Sequence, residues 1–149
     1  MRAVIQRVGR AQVRVEGQII GEIGKGFLVL LGIGKGDSNK EADDLLEKMI
    51  HLRIFEDTQG KMNLSLLDVA GDLMVISQFT LYADCRKGRR PSFTDASPPE
   101  EAKVLYEYFI SRAKSQGMKV AAGIFQALME VESVNLGPVT ILLDTSGDF

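Results

Sequence analysis

The sequence predicts an α+β domain built on a mostly antiparallel sheet. Segments typical of strands, a helix, strands, a helix and strands follow one another along the chain, and this order favours α+β over a regularly alternating α/β fold. Glycines also interrupt the N-terminal part at hairpin-like intervals, as antiparallel connections require. With 149 residues, the chain is expected to form a single domain over residues 1–149.

The N-terminal quarter of the chain is predicted to form strands. Val4, Gln6 and Val8 alternate with Ile5, and a two-residue period places alternate side chains on opposite faces of a sheet. The later segment FLVLLGI (27–33) is apolar throughout. It therefore predicts a central strand that is covered on both faces.

Two helices are predicted between the strands. Ser38 and Glu41 have the spacing of a capping box, and apolar residues then recur at helical spacing as far as Ile50. A second helix is predicted from the Ser97–Pro98 region, because proline is favoured in the first turn. Gly117 is expected to end it.

The segment LMVISQFTLYA (73–83) predicts a second apolar strand with polar residues inside it. Strand alternation would place Ser77 and Phe79 on one face and Gln78 and Thr80 on the other. Buried polar groups need partners or a function. By pattern alone, a solvated outer face and a site are equally compatible with these residues.

A polar loop of about sixteen residues follows, and loops of this length are usually functional or mobile. Its segment RKGRRPSF (86–93) carries Arg86, Lys87, Arg89 and Arg90 on a chain of net charge -2. Basic side chains at this density suit phosphate groups. A solvated loop without a ligand is an equally compatible interpretation.

The familiar constellations of catalytic side chains are poorly represented. The only histidine, His51, falls at the end of the first helix, and the only cysteine, Cys85, has no histidine nearby in sequence. These residues also provide no cluster for a metal, so neither a metal nor a cofactor is expected. The segment GIGKGD (32–37) lies between a strand and a helix but matches neither common phosphate-binding pattern. The segment can therefore be interpreted either as the connection from a strand to a helix or as a nucleotide-binding loop.

The composition also indicates the cellular compartment of the protein. The charged fraction of 26% and the apolar fraction of 45% are typical of globular domains. A single cysteine excludes an intrachain disulfide and suits a reducing compartment. No signal-peptide pattern or membrane-length apolar run is present in the sequence. A cytoplasmic protein without membrane contact is expected.

The last strand poses a specific question. Val139 to Leu143 form a short apolar run typical of a buried strand, but Gly137-Pro138 precedes it. Proline cannot donate to a sheet ladder and is tolerated at the first residue of a strand or on an edge. The dipeptide is therefore either punctuation or bare backbone presented to a ligand.

These motifs together resemble a known family. SQFTL (77–81) and NLGPVT (135–140) are similar to the motif pair of the D-aminoacyl-tRNA deacylases, also called the D-tyrosyl-tRNA deacylase family. Three supporting segments, MRAVIQRV, GRRPSF and GIFQALMEV, extend the resemblance over nearly the whole chain. The chain departs from the family at Gln126 and Leu128, where Gly and Asp are frequent.

The resemblance implies a fold, a partner and an activity. The family has a compact, barrel-like β assembly with two flanking helices, and it forms homodimers with the pocket at the subunit interface. Its members hydrolyse the ester of D-aminoacyl-tRNA, clear glycine from tRNA and spare L-aminoacyl-tRNA. No cofactor is implied. A non-catalytic RNA-binding module and a small-ester hydrolase using Thr80 or Cys85 are the alternatives to this activity.

The resemblance also assigns roles to residues. Ser77, Gln78, Phe79 and Thr80 would form the catalytic segment, and we expect Thr80 to position groups because no base is evident to activate its hydroxyl. Gly137 and Pro138, joined by a cis bond and braced by Arg7, would reject L substrates in the partner's pocket. Phe125 would line the pocket. We expect the tRNA backbone to contact the remaining group, Arg86, Lys87, Arg89 and Arg90.

Overall fold

The computed structural model describes residues 1–148. Within this range the chain forms eight strands, two α-helices and one short 3-10 helix. The elements are β1 (Arg2–Val15), β2 (Gln18–Ile23), β3 (Gly26–Gly32), α1 (Asn39–Ile50), β4 (Phe55–Glu56), β5 (Met62–Leu64), β6 (Asp72–Ser77), the 3-10 helix (Phe79–Tyr82), α2 (Pro99–Ser115), β7 (Val120–Ala122) and β8 (Glu130–Asp144).

The main sheet is mixed: within residues 1–148, three of its strand pairings are antiparallel, in line with the prediction of a mostly antiparallel sheet, and two are parallel. Strand β1 pairs antiparallel with β2, β3 and β8. Strand β6, in contrast, runs parallel to both β3 and β7. Each parallel pair is separated in sequence by a helix, α1 in one case and α2 in the other. Crossover connections of this kind are what parallel neighbours need.

The sheet curls until its two ends nearly meet. Strand β2 lies at one end of the order β2-β1-β3-β6-β7 and β7 at the other. A Cβ built on Gly21 of β2 would lie 3.3 Å from both Ala121 Cβ and Ala122 O of β7. The glycine therefore permits close approach of the two end strands, and the sheet forms a nearly closed barrel.

Strand β3 separates two apolar cores. Phe27, Val29 and Leu31 point to the layer that packs against the helices, whereas Leu28 faces the barrel interior beside Met74. All five side chains are at most 3% exposed. The prediction that FLVLLGI is a central strand covered on both faces is confirmed.

Both helices occur close to their predicted positions. The capping box of α1 is present: Glu41 accepts a hydrogen bond from the Ser38 N–H at 2.8 Å. Helix α2 begins at Pro99, slightly later than predicted, and inserts Leu105 and Phe109 into the core. Across residues 1–148, neither helix combines the length and apolar character needed to cross a membrane.

The prediction that SQFTL continues the preceding strand is wrong. Strand β6 ends at Ser77, and Phe79–Tyr82 turns as a 3-10 helix. The turn packs against the end of β3 because Gly32 and Gly34 leave room for it: a Cβ on Gly34 would lie 2.5 Å from the Tyr82 hydroxyl oxygen. The face assignment by strand alternation therefore fails beyond Ser77.

The last strand is less buried than its apolar run predicted. Only Val139 and Leu143 are buried in the segment 139–143, and Leu142 is 53% exposed. Within residues 1–148, strand β8 pairs with β1 alone. An edge strand of this kind covers one face against the core and leaves the other uncovered.

Candidate functional site

A cavity of about 810 Å³ collects most of the predicted catalytic segment. Ser77, Gln78 and Phe79 line one side of it, and Phe125 lines another. The remaining wall comes mainly from the end of β3 and the turn after it, the loop before α2 and the segment before β8. This volume is typical of sites for small organic ligands.

The backbone of the catalytic segment has free donors. The Gln78 N–H donates to Leu31 O at 2.8 Å, which fixes the segment to β3. By contrast, the N–H groups of Phe79 and Thr80 donate to no other group within residues 1–148. Because strand pairing stops at Ser77, two adjacent donors remain available, one on Phe79, which lines the cavity, and one on the residue that follows it.

Thr80 is held by its neighbour. The Gln78 side-chain amide donates to the Thr80 hydroxyl oxygen. Thr80 itself is not among the residues that line the cavity. Its hydroxyl therefore contacts an amide, which cannot act as the base that a nucleophile would need.

Aromatic rings form two parts of the cavity wall. Phe79 is 57% exposed, and Phe93 packs edge-on against it with ring centroids 5.0 Å apart. Phe125 packs against Tyr106, with ring centroids 5.8 Å apart. The Tyr106 hydroxyl donates to Val75 O at 2.7 Å, and burial raises the pKa of this tyrosine to about 12. A neutral hydroxyl thus anchors the wall that carries Phe125.

Gly137 and Pro138 lie in an interruption of the β8 ladder. Gln6 pairs with Thr140 and Val8 pairs with Asn135, so four residues of β8 face a single residue of β1. We call residues 136–139 the bulge. The Gly137–Pro138 bond is cis, as the resemblance implied. Proline is accommodated inside this strand because the ladder is interrupted there.

Two side chains hold the bulge from behind. Arg7 is 8% exposed and donates through Nε to Leu136 O at 3.0 Å and through Nη1 to Ile54 O at 2.7 Å. Arg7 thus bonds the carbonyl that precedes Gly137. Asn135 accepts from the Val139 N–H at 2.8 Å. Asn135 was not among the predicted site residues, although asparagine side chains commonly form hydrogen bonds with backbone groups in turns.

The two predicted halves of the site do not meet within this chain. Gly137, Pro138 and Arg7 are absent from the lining of the cavity that Ser77, Gln78 and Phe79 share. Residues 136–138 of the bulge are instead exposed at the surface, and Val139 is buried.

We call residues 84–93 the basic loop. An acidic side chain neutralises part of its positive charge. Arg86 forms a two-pronged ion pair with Asp84, at 2.9 and 2.8 Å, and this pairing lowers the pKa of Asp84 to about 2. Three further exposed cations, Lys87, Arg89 and Arg90, form no ion pair with any residue in the described range. The loop is closed by pairing between Asp84 and Ser92.

The other reactive residues considered from the sequence lie away from the cavity. His51 caps the end of α1, and its Nδ1 is 2.8 Å from Glu47 O. Cys85 is exposed in the basic loop. Among the residues that the structure describes, Lys35 is the one charged residue in the cavity lining.

Comparison with known proteins assigns the family. Residues 4–144 match the model of the family described as D-Tyr-tRNA(Tyr) deacylase. The chain belongs to this deacylase family. It is 60% identical over 145 residues to the D-aminoacyl-tRNA deacylase of Geotalea uraniireducens, covering 97% of this chain and 94% of the relative. It is 56% identical to that of Thermosipho melanesiensis, with both chains fully covered.

Solved structures agree with the deacylase fold. A c-Myc DNA unwinding element binding protein has a TM-score of 0.92 and 40% identity, covering 97% of this chain and 99% of that chain. A probable eukaryotic D-amino acid tRNA deacylase has a TM-score of 0.81 at 16% identity, covering 95% and 97%. The second likeness supports the fold.

Proposed function

We propose that this deacylase-family chain hydrolyses the ester bond between a D-amino acid and the terminal ribose of tRNA, releasing the free amino acid and tRNA. The observation that carries the proposal is the cavity at the SQFTL segment, where the N–H groups of Phe79 and Thr80 are free. The family match over residues 4–144 supplies the substrate class.

Stabilisation of the oxyanion is the main chemical task. Attack of water on the ester carbonyl gives a tetrahedral intermediate with a negative oxygen. Two backbone N–H groups in a fixed geometry can stabilise such an oxygen. Aminoacyl esters are already activated, and the neighbouring ribose hydroxyl can help to position the water. The reaction then needs no histidine or thiol from the protein.

The polar side chains of the segment support this geometry. Gln78 binds the Thr80 hydroxyl, and together with Ser77 it would hold the turn and contact the substrate. Thr80 would position the backbone rather than attack the ester. This role agrees with its amide partner and its place outside the cavity lining.

The aromatic and basic residues suit the nucleic-acid part of the substrate. The exposed face of Phe79 can stack on the terminal adenine, since aromatic rings bind unstacked bases. Phe125 would complete the pocket. Lys87, Arg89 and Arg90 would contact tRNA phosphates, with Arg86 contributing less because Asp84 already pairs with it.

A homodimer would complete the site. The bulge does not line the cavity of its own chain, and β8 carries exposed apolar side chains that include Val131, Val134 and Leu136. Exposed apolar patches often mark interfaces. We propose that β8 pairs two copies so that the bulge of one copy faces the cavity of the other.

Chiral selection would then be steric. Backbone carbonyls of Gly137 and Pro138 would stand against the substrate Cα, where an L side chain collides and a D side chain points away. Discrimination of this kind comes from a clash with the wrong substrate. Glycine carries no side chain, so glycyl-tRNA should also be hydrolysed.

The direct test is hydrolysis of D-Tyr-tRNA beside L-Tyr-tRNA by the purified chain. The proposal predicts rapid release of D-Tyr and little release of L-Tyr, with glycyl-tRNA also cleaved. Equal rates for the two enantiomers, or no release of D-Tyr by the folded protein, would contradict it. Thiol alkylation at Cys85 should leave the rate of hydrolysis unchanged. An unchanged rate would exclude Cys85 as the nucleophile.

A non-catalytic nucleic-acid-binding module is the second candidate. The exposed Phe79–Phe93 pair and the basic loop favour it, and one similar structure is named for binding a DNA unwinding element. This candidate predicts equal affinity for charged and uncharged tRNA and no turnover. The same assay decides between the two.

A further inference from the structure

We propose that Lys35 binds the phosphate on the 5′ side of the terminal nucleotide of the substrate. This inference rests on the proposed function and adds a substrate-binding residue to it. It begins from a juxtaposition: among the described residues, Lys35 is the single charged residue that lines a cavity whose other lining residues are apolar or neutral.

The backbone of Lys35 is fixed on the cavity wall. It occupies a tight turn in which the Asp37 N–H donates to Gly34 O at 3.3 Å and the Gly34 N–H donates to Asp37 Oδ2 at 2.6 Å. The Lys35 N–H donates across to Asp95 O at 3.0 Å. Bonds to its own turn and to the loop before α2 therefore leave only the side chain free to move.

Within the described part of the chain, the charge of Lys35 has no counter-ion. The side chain forms no ion pair with any residue from 1 to 148. The nearest acid in sequence, Asp37, is engaged by the Gly34 N–H. A cation without an ion-pair partner beside an apolar cavity attracts an anionic ligand, and lysine is a common partner of phosphate.

The chemistry of the substrate supplies the matching anion. The terminal nucleotide offers a base for Phe79 and Phe93 and an ester for the Phe79 and Thr80 N–H groups. Its 5′ phosphate is the remaining group and the only negative one. Lys35 thus completes a set in which each part of the nucleotide has a chemically suitable partner.

The proposal also explains why the segment GIGKGD (32–37) combines glycines with a lysine. A nucleotide loop of the usual kind is excluded because Gly32 and Gly34 pack against the 3-10 helix: Cβ atoms there would lie 3.1 Å from Gln78 O and 2.5 Å from Tyr82 Oη, respectively. The glycines bring Lys35 to the cavity, and the lysine provides the contact to phosphate.

The test compares adenosine with 5′-AMP as ligands, because they differ by the phosphate alone. We expect the native chain to bind 5′-AMP about five- to tenfold more tightly than adenosine, as one charge-assisted contact allows. Lys35→Gln should lower the affinity for 5′-AMP to that for adenosine and leave adenosine binding unchanged. Lys35→Arg should retain most of the preference. Lys61→Gln, at an exposed turn outside the cavity, is the matched control.

Turnover provides the second measurement. Lys35→Gln should raise KM for D-Tyr-tRNA with little change in kcat, and it should reduce the slope of log affinity against log salt by about one. Native protein without preference for 5′-AMP, or an equal loss of adenosine and 5′-AMP binding in Lys35→Gln, would overturn the proposal. Failure of the proposed function would show itself separately, as absent D-Tyr-tRNA hydrolysis by the native chain, and the nucleotide comparison would still decide the role of Lys35.

Discussion

The catalytic segment lies where β6 ends, and the bulge interrupts β8 of the same sheet. The two regions differ in the backbone groups that they expose and in the surface that these groups face. The segment after β6 leaves the N–H groups of Phe79 and Thr80 free beside a cavity of its own chain. The bulge in β8 is anchored from behind by Arg7 and Asn135 and faces outward. One chain therefore holds the two free donors but does not bring to them the backbone that we propose to select the substrate.

The anchor of the bulge should have the largest effect on stability. Arg7→Met would leave the Leu136 and Ile54 carbonyls without their charged donor, and such hydrogen bonds contribute about 1.5–3 kcal/mol each. We expect the free energy of unfolding in urea to fall by about 2–4 kcal/mol, which is less than the sum of the two bonds because the buried methionine side chain offsets part of the loss. Arg10→Met on the same strand is the control. Arg10 is 62% exposed and pairs with Glu132, so its loss should cost under about 1 kcal/mol. Similar losses in both variants would show that Arg7 is not an anchor.

The bulge itself should determine selectivity. At Gly137 φ is +129°, and a Cβ there would lie 2.9 Å from both Arg7 Nη2 and Val139 Cγ2. Gly137→Ala should displace the backbone and lower the D-to-L rate ratio by about 10- to 100-fold, as small displacements at a reacting centre can. Gly60→Ala also places alanine at positive φ, but in open space. A selectivity change that Gly60→Ala reproduces would argue against the role of the bulge.

The catalytic segment should respond less to loss of a side chain. Thr80→Val removes the hydroxyl and keeps the shape. If Thr80 positions the turn through Gln78, we expect single-turnover rates with D-Tyr-tRNA to fall by about tenfold or less. Removal of a true nucleophile costs on the order of 10⁶-fold. A loss of that size would establish Thr80 as the nucleophile and refute the positioning role.

The basic loop should show the smallest effects and an internal contrast. Arg86 is paired with Asp84, whereas Arg89 forms no ion pair with the described residues. Arg89→Gln should weaken tRNA binding and reduce the salt slope by about one phosphate contact. Arg86→Gln should change both less. Equal effects measured across a salt series would mean that tRNA displaces Asp84 from Arg86.

Local patterns predicted the elements whose stability is local. The capping box at Ser38 and Glu41 placed α1, and the unbroken apolar run of β3 indicated a strand with two covered faces. Both signals lie in adjacent residues, so a single sequence records them. The chain's resemblance to the deacylases likewise depended on two short motifs.

Features that depend on distant contacts were missed or misassigned. SQFTL alternates like a strand, and only the space left by Gly32 and Gly34 shows why it turns. The parallel pairing of β3 with β6 arises from the path of the chain through α1. Asn135 bonds the Val139 N–H, and the role that we propose for Lys35 depends on its place in the cavity wall. Neither contact leaves a periodic signal in the sequence.

The comparison between the two segments is tested most directly with a mixed dimer. One copy would carry Phe79→Ala in the cavity, which should weaken substrate binding by about 10- to 100-fold through lost base stacking. The other copy would carry Gly137→Ala in the bulge. The measurement is hydrolysis of L-Tyr-tRNA by purified heterodimers, relative to the Gly137→Ala homodimer.

If the bulge of one copy serves the cavity of the other, the altered bulge faces the impaired cavity and the intact cavity faces a native bulge. Hydrolysis of L-Tyr-tRNA should then nearly disappear, while the intact site still cleaves D-Tyr-tRNA. If each bulge served its own cavity, the heterodimer would retain about half of the L-Tyr-tRNA activity of the Gly137→Ala homodimer, as stoichiometry requires when distant sites act independently. That result, or a chain that forms no dimer, would contradict the account.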